Sequence, residues 1–110
     1  MQLAHKETDQ ALVLSFSGEI IMDAVADLKT EAERLTIESP QTVVRLDLAG
    51  VTFMDSSGVG FLIGLRRICQ EHGKTMTVTN PSPPIKKLLG MLRLTDYFAV
   101  QANPADPASA

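Results

Sequence analysis

Val43-Val44-Arg45-Leu46-Asp47-Leu48 runs, through Ala49-Gly50-Val51-Thr52-Phe53, into Met54-Asp55-Ser56-Ser57-Gly58-Val59-Gly60. In the first six residues Val44, Leu46 and Leu48 share one face, and Arg45 and Asp47 take the other. That two-residue period is a half-buried strand. From Ser57 to His72 the chain is rich in apolar residues (Val59, Phe61, Leu62, Ile63, Leu65 and Ile68) and reads as a helix ending near Gly73. Two hydroxyls and a carboxylate therefore stand where a strand hands over to a helix start. Such a start offers unpaired N–H groups and the positive end of a helix dipole, and it suits a phosphate. A reversible charge placed there acts as a switch without catalytic machinery. Asp55, or Ser57, is also suited to cap the helix.

Outward from this junction the pattern repeats. Leu12, Leu14 and Phe16 alternate with Val13, Ser15 and Ser17, and Gly18 is expected to end that strand. Leu3 to Glu7 is expected to pair beside it, after a turn at Thr8-Asp9-Gln10. Asp23 to Ile37 reads as a helix capped by Asp23. Its stripe is Val25, Leu28, Ala32 and Leu35, and Ser39-Pro40 stops it. Thr75 to Thr79 alternates again. Asn80-Pro81-Ser82-Pro83-Pro84 predicts a rigid turn, with Ser82 capping a helix whose buried stripe is Ile85, Leu88, Leu89 and Leu92. Tyr97 to Val100 reads as a short terminal strand or helix, and residues 101–110 as a disordered tail. Strand, helix, strand, helix, strand, helix is the order of an α/β unit in one domain. Because the strands are amphipathic rather than uniformly apolar, helices are expected to cover mainly one face of the sheet. Gly58, Gly60 and Gly64 thin one side of the central helix; close packing is the favoured reading for Gly64.

The 110 residues suffice for one core, and a formal charge of −3 with a pI near 5.2 argues against a nucleic-acid partner. The single cysteine, Cys69, excludes an internal disulfide and suits a reducing compartment. The N-terminal residues lack the order of a signal peptide, and no apolar stretch approaches a bilayer span. A cytoplasmic protein without direct membrane insertion is the expectation.

Catalytic motifs nearly appear and fail. Gly58-Val59-Gly60 would need its third dinucleotide-loop glycine at Ile63. Gly73-Lys74-Thr75 would need a leading glycine at Ile68, and a strand follows it. Ser56 lacks the nucleophile-elbow glycine two residues earlier, where Met54 stands. His5 and His72, the two histidines, lie too far away to serve Ser56 as a base; His72 is at the opposite end of a helix about 22 Å long. Cys69 and His72 share a helical face but are too few for a structural zinc site. Arg66-Arg67 and Lys86-Lys87 read as solvated basic pairs. The expectation is no enzyme, no catalytic residue, no metal and no cofactor.

Asp47-Leu48-Ala49-Gly50-Val51-Thr52-Phe53-Met54-Asp55-Ser56-Ser57-Gly58-Val59-Gly60, running on to Leu62-Ile63-Gly64, resembles the signature of the STAS domain (sulphate transporter and anti-sigma factor antagonist). The likeness extends from about Leu12 to Phe98. It includes Gly18-Glu19-Ile20 and Pro83-Pro84-Ile85-Lys86-Lys87-Leu88-Leu89, and it is nearest to stand-alone bacterial anti-anti-sigma factors. The resemblance implies a STAS domain over residues 1–100, with a mixed sheet of four or five strands packed with about four helices. It implies phosphorylation of Ser56 by an anti-sigma factor that is a serine kinase of the histidine-kinase-like ATPase type. The unphosphorylated antagonist binds that kinase, and a PP2C-type phosphatase reverses the modification. Asp55, Ser57, Gly58 and Gly60 then support the phosphosite and the partner contact. Glu19, Ile21, Met22 and Asp23 form the candidate partner surface. The family often carries an aspartate directly after its Gly-Glu-Leu-like triplet. Here Ile21 and Met22 intervene before Asp23, which implies either a rearranged loop or a more apolar partner surface; a hydrophobic staple is the purely structural role for this pair. A scaffold role in a stressosome-like complex, or a regulatory subunit of a lipid or anion transporter, is the alternative within the same family.

Overall fold

The computed structural model describes residues 2–101. Its elements are β1 (Gln2–Glu7), β2 (Leu12–Ile20), α1 (Met22–Glu38), β3 (Val43–Met54), α2 (Ser56–Glu71), β4 (Thr75–Thr79) and α3 (Pro83–Met91). Among the described residues there are three helices, one fewer than expected, because Thr95 to Ala99 forms turns rather than a further element. The sheet order is β1-β2-β3-β4. β1 pairs antiparallel with β2, while β2–β3 and β3–β4 are parallel. The fold is therefore α/β with a mixed four-stranded sheet.

This order explains where the helices lie. Both crossovers, β2-α1-β3 and β3-α2-β4, step along the sheet in the same direction. Right-handed connections then place α1 and α2 on the same face. Leu12, Leu14 and Phe16 of β2 and Val44, Leu46 and Leu48 of β3 are buried on that face, with Leu12 beside Val44 and Leu14 beside Leu46. Phe61 of α2 meets Phe16 edge-to-face, ring centroids 5.8 Å apart. Val13, Ser15, Arg45 and Asp47, on the opposite face, are half-buried.

Several local expectations are corrected. Gly18 does not end β2. Its φ of 97° and two register shifts, at Ser15/Ser17 and Gly18/Glu19, carry the strand on to Ile20, which pairs with Met54. A residue with a side chain resists that φ, so the glycine permits a bulge rather than a stop. β4 is not amphipathic: Met76, Thr77, Val78 and Thr79 are all buried. The chain returns along it, with Val78 N–H donating to Phe98 O (3.0 Å), Gln101 N–H to Val78 O (2.9 Å) and Thr79 bridging Gln101. Gln101 is thus paired, and the remainder of the tail, 102–110, lies outside the described residues. Leu92 is 48% exposed rather than part of the α3 stripe, because the helix stops at Met91. Ser82 sits at the α3 N-cap but makes no side-chain capping bond; its hydroxyl donates instead to Val51 O. Among the described residues no helix is long and apolar enough to cross a membrane.

Candidate functional site

The C-terminal ends of the two central parallel strands, β2 and β3, lie side by side. That edge is where open α/β sheets present their ligands and partners, since each strand there feeds a helix start. Ile20 pairs with Met54, Glu19 with Phe53, and Asp55 N–H donates to Ile20 O at 3.3 Å. The β2–α1 junction (Glu19, Ile21, Met22, Asp23) and the β3–α2 junction (Asp55, Ser56, Ser57, Gly58) are therefore one surface, although they are more than thirty residues apart in sequence.

Asp55 organises it. It is the N-cap of α2, with its backbone extended, and its Oδ1 accepts from Gly58 N–H at 3.0 Å. The same oxygen accepts the Ser57 hydroxyl at 2.5 Å. Oδ2 accepts from Met22 N–H at 3.2 Å, the first residue of α1. One carboxylate thus ties together the starts of two helices. The bond from Ser57, then those from Gly58 and Met22, hold the Asp55 carboxyl below the usual carboxylate range. Asp55 is the cap, as the sequence suggests. Ser57 is not a cap; it is a donor to the cap.

Asp23, the cap that the sequence predicts for α1, does not take that position. It lies instead within the first turn, exposed, and the N-cap position is Ile21, which makes no side-chain capping bond. Isoleucine has no acceptor, so Asp55 supplies one from across the sheet. Ile21 and Met22 do not form a staple: Ile21 is half-buried and Met22 is 73% exposed.

Ser56 is the first residue of α2 and is exposed, while Ser57 is half-buried. Of the α2 N–H groups expected to hold a phosphate at Ser56, that of Gly58 is already donated to Asp55, so a phosphate on Ser56 also meets a carboxylate held at the same helix start.

The glycines divide by role. Gly58 is buried, and a Cβ there would lie 2.5 Å from both Ile20 O and Met54 Cγ. Only glycine lets α2 start this close to the strand ends. Cβ atoms at Gly60 and Gly64 would meet nothing within 4 Å. The close-packing role assigned to Gly64 therefore belongs to Gly58. Gly60 and Gly64 open a shallow groove between α1 and α2, floored by Phe61 and Leu65 and edged by Lys29 and Glu33. Sequence reasoning missed Phe53. It is 51% exposed, pairs with Glu19 across β2 and β3, and lines a groove with Pro84, Leu88 and Met91 of α3. Its signal was there: after Gly50 the strict alternation of β3 fails, with Val51 and Met54 buried and Thr52 and Phe53 exposed. Among the described residues no cluster of three or more His, Cys, Asp or Glu could hold a metal ion.

Comparison with known proteins places this geometry. The family described as the STAS domain matches residues 2–106. An anti-sigma F factor antagonist of Lysinibacillus sphaericus is 30% identical over 81 residues, spanning 74% of this chain and 69% of that protein. One from Paenibacillus polymyxa is 24% identical over 103 residues, spanning 94% and 88%. Among solved structures, the unphosphorylated form of the anti-sigma factor antagonist SpoIIAA superposes with a TM-score of 0.78 at 22% identity, covering 97% of this chain and 92% of that one. A putative anti-sigma factor antagonist from Thermotoga maritima reaches 0.83 at 15% identity, covering 96% and 90%. The match to the family over nearly the whole chain, on a sheet and junction built as described, makes this chain a member of the STAS domain family.

Proposed function

We propose that this chain is an anti-sigma factor antagonist working as a phosphorylation-controlled partner switch, with no catalytic role of its own. Unphosphorylated, it binds an anti-sigma factor that is a serine kinase of the histidine-kinase-like ATPase type. Phosphorylation of Ser56 releases that partner, and a PP2C-type phosphatase resets the switch. The observation that carries this reading is an exposed Ser56 at the first position of α2, next in sequence to a carboxylate held by three donors. The names of the curated relatives support the antagonist role.

The physics of release is electrostatic. A phosphate adds about −1.5 to −2 charges at neutral pH. Next to Asp55, with exposed Glu19 and Asp23 on the neighbouring junction, it concentrates negative charge on one small surface. The exposed apolar side chains there, Met22 and Phe53, suit a partner that buries them. Desolvating a dianion among carboxylates opposes that burial. A loss of about 3 kcal/mol weakens binding more than about a hundredfold.

The test uses affinity-tagged chain recovered from the cells that make it. Wild type and Ser56→Ala are expected to retain an ATP-dependent serine kinase, and Ser56→Asp to lose it. Wild type is expected to carry phosphate on Ser56. Equal kinase recovery on Ser56→Asp and wild type would sink the switch.

A further inference from the structure

We propose that Asp55 decides which of the two adjacent serines is modified: its carboxylate engages the Ser57 hydroxyl and leaves Ser56 as the acceptor. This rests on the reading of Ser56 as a phosphoacceptor and adds a positioning residue to it. In the transfer the serine Oγ forms a bond to the γ-phosphorus of ATP. The bond from that phosphorus to the β–γ bridging oxygen breaks, ADP leaves, and the hydroxyl proton passes to a base of the kinase. Both serines have the same chemistry and are neighbours in sequence, so the choice between them is structural.

Three observations separate them. The Ser57 hydroxyl is already donated to Asp55 Oδ1 at 2.5 Å, so its proton is engaged and its oxygen lies against a negative charge. Ser57 is half-buried and lines the groove between α1 and α2 above Phe61, whereas Ser56 is exposed. Rotation of the carboxylate away from Ser57 would break two further bonds, since Oδ1 also takes Gly58 N–H (3.0 Å) and Oδ2 takes Met22 N–H (3.2 Å). An incoming γ-phosphate carries negative charge and is repelled from Ser57 by Asp55. A phosphate installed there would forfeit the bond and press a dianion on a carboxylate. A carboxylate bonded to a hydroxyl can also act as its base. Asp55 is poorly suited to that, because its three donors hold its pKa low.

The experiment maps phosphate by mass spectrometry on chain recovered from its own cells, each variant first checked for cooperative unfolding. Wild type and Ser57→Ala are expected to carry phosphate on Ser56, and Ser56→Ala on neither serine. Asp55→Ala combined with Ser56→Ala is expected to acquire phosphate on Ser57. Asp55→Asn combined with Ser56→Ala, which keeps a side-chain oxygen for the Ser57 and Gly58 donors but carries no charge, is expected to hold less Ser57 phosphate than the Ala background. Phosphate on Ser57 in wild type or in Ser56→Ala overturns the selection by Asp55. So does a folded Asp55→Ala/Ser56→Ala chain unmodified at Ser57, or equal Ser57 phosphate in the Asn and Ala backgrounds. Those results leave Ser56 standing as the acceptor. Absence of phosphate from Ser56 in wild type removes the underlying reading instead.

Discussion

Asp55 accepts from Ser57, Gly58 and Met22, so its protonation is coupled to folding. Its folded pKa lies below the unfolded value of about 3.9. The stability it contributes is therefore fully present above that value and drains away as pH falls through the lower, folded one. Urea midpoints measured between about pH 6 and about pH 2 should fall less steeply for Asp55→Asn than for wild type, since asparagine has no proton to gain. Two glycines near the start of α2, Gly58 and Gly60, give opposite expectations. Gly58→Ala drives a methyl into Ile20 O and Met54 and should cost about 1–3 kcal/mol in denaturant unfolding. Gly60→Ala faces open space and should gain up to about 1 kcal/mol. Cys69 is buried, and desolvation pushes its thiol up to about 11 against a smaller opposing pull from Lys74. Folded protein should react with a thiol reagent at pH near 8 far more slowly than urea-unfolded protein, in which the pKa returns to about 8.5.

At the scale of elements, α2 and α3 end the same way with different residues. In α2 the left-handed position after the cap is Gly73 (φ 68°), Gly73 N–H donates to Gln70 O, and Lys74 N–H donates to Cys69 O at 2.7 Å. In α3 that position is Arg93 (φ 58°), with Arg93 N–H to Gly90 O and Leu94 N–H to Leu89 O at 2.8 Å. Both are Schellman ends, and only the first uses the residue that adopts this backbone without a Cβ penalty. Arg93→Gly should therefore stabilise the protein by about 1 kcal/mol, read as a rise in the urea midpoint at unchanged slope. The α2 end is legible as Gly73, because glycine announces a left-handed stop. The α3 end is not, because arginine does not, and the apolar spacing runs on to Leu92, one residue past the helix. Ser82 misled for a related reason. A serine before proline reads as a cap, but Val51 O lies within reach and takes the hydroxyl. A local preference gave way to a partner 31 residues away.

For the molecule as a whole, β4 shows what cannot be read locally. Thr75 to Thr79 alternates polar and apolar residues, yet four of the five are buried. The free edge of β4 is taken by the returning segment, through the Val78–Phe98 and Gln101–Val78 backbone bonds, and Phe98 is itself fully buried. Thr79 meets burial by donating its hydroxyl to Leu46 O at 3.3 Å. Phe98→Ala should cost about 3–5 kcal/mol in chemical unfolding and should speed amide exchange at Val78 more than at Leu14. Equal acceleration at the two amides would mean that the segment does not protect β4 separately from the core.

The order of elements, the apolar faces of β2 and β3, and the place of Ser56 at a strand-to-helix junction are all readable from the residues alone. These follow from residue spacing, because a strand repeats every two residues and a helix every 3.6. Which donor serves which acceptor is set by packing. Asp55 caps α2 as its own sequence suggests, but it also supplies the acceptor that Ile21 cannot provide at the start of α1, and it takes the Ser57 hydroxyl. Those contacts exist because two parallel strands end side by side, which brings residue 22 to residue 55. Spacing along a chain encodes faces; it does not encode which loops the sheet sets next to one another.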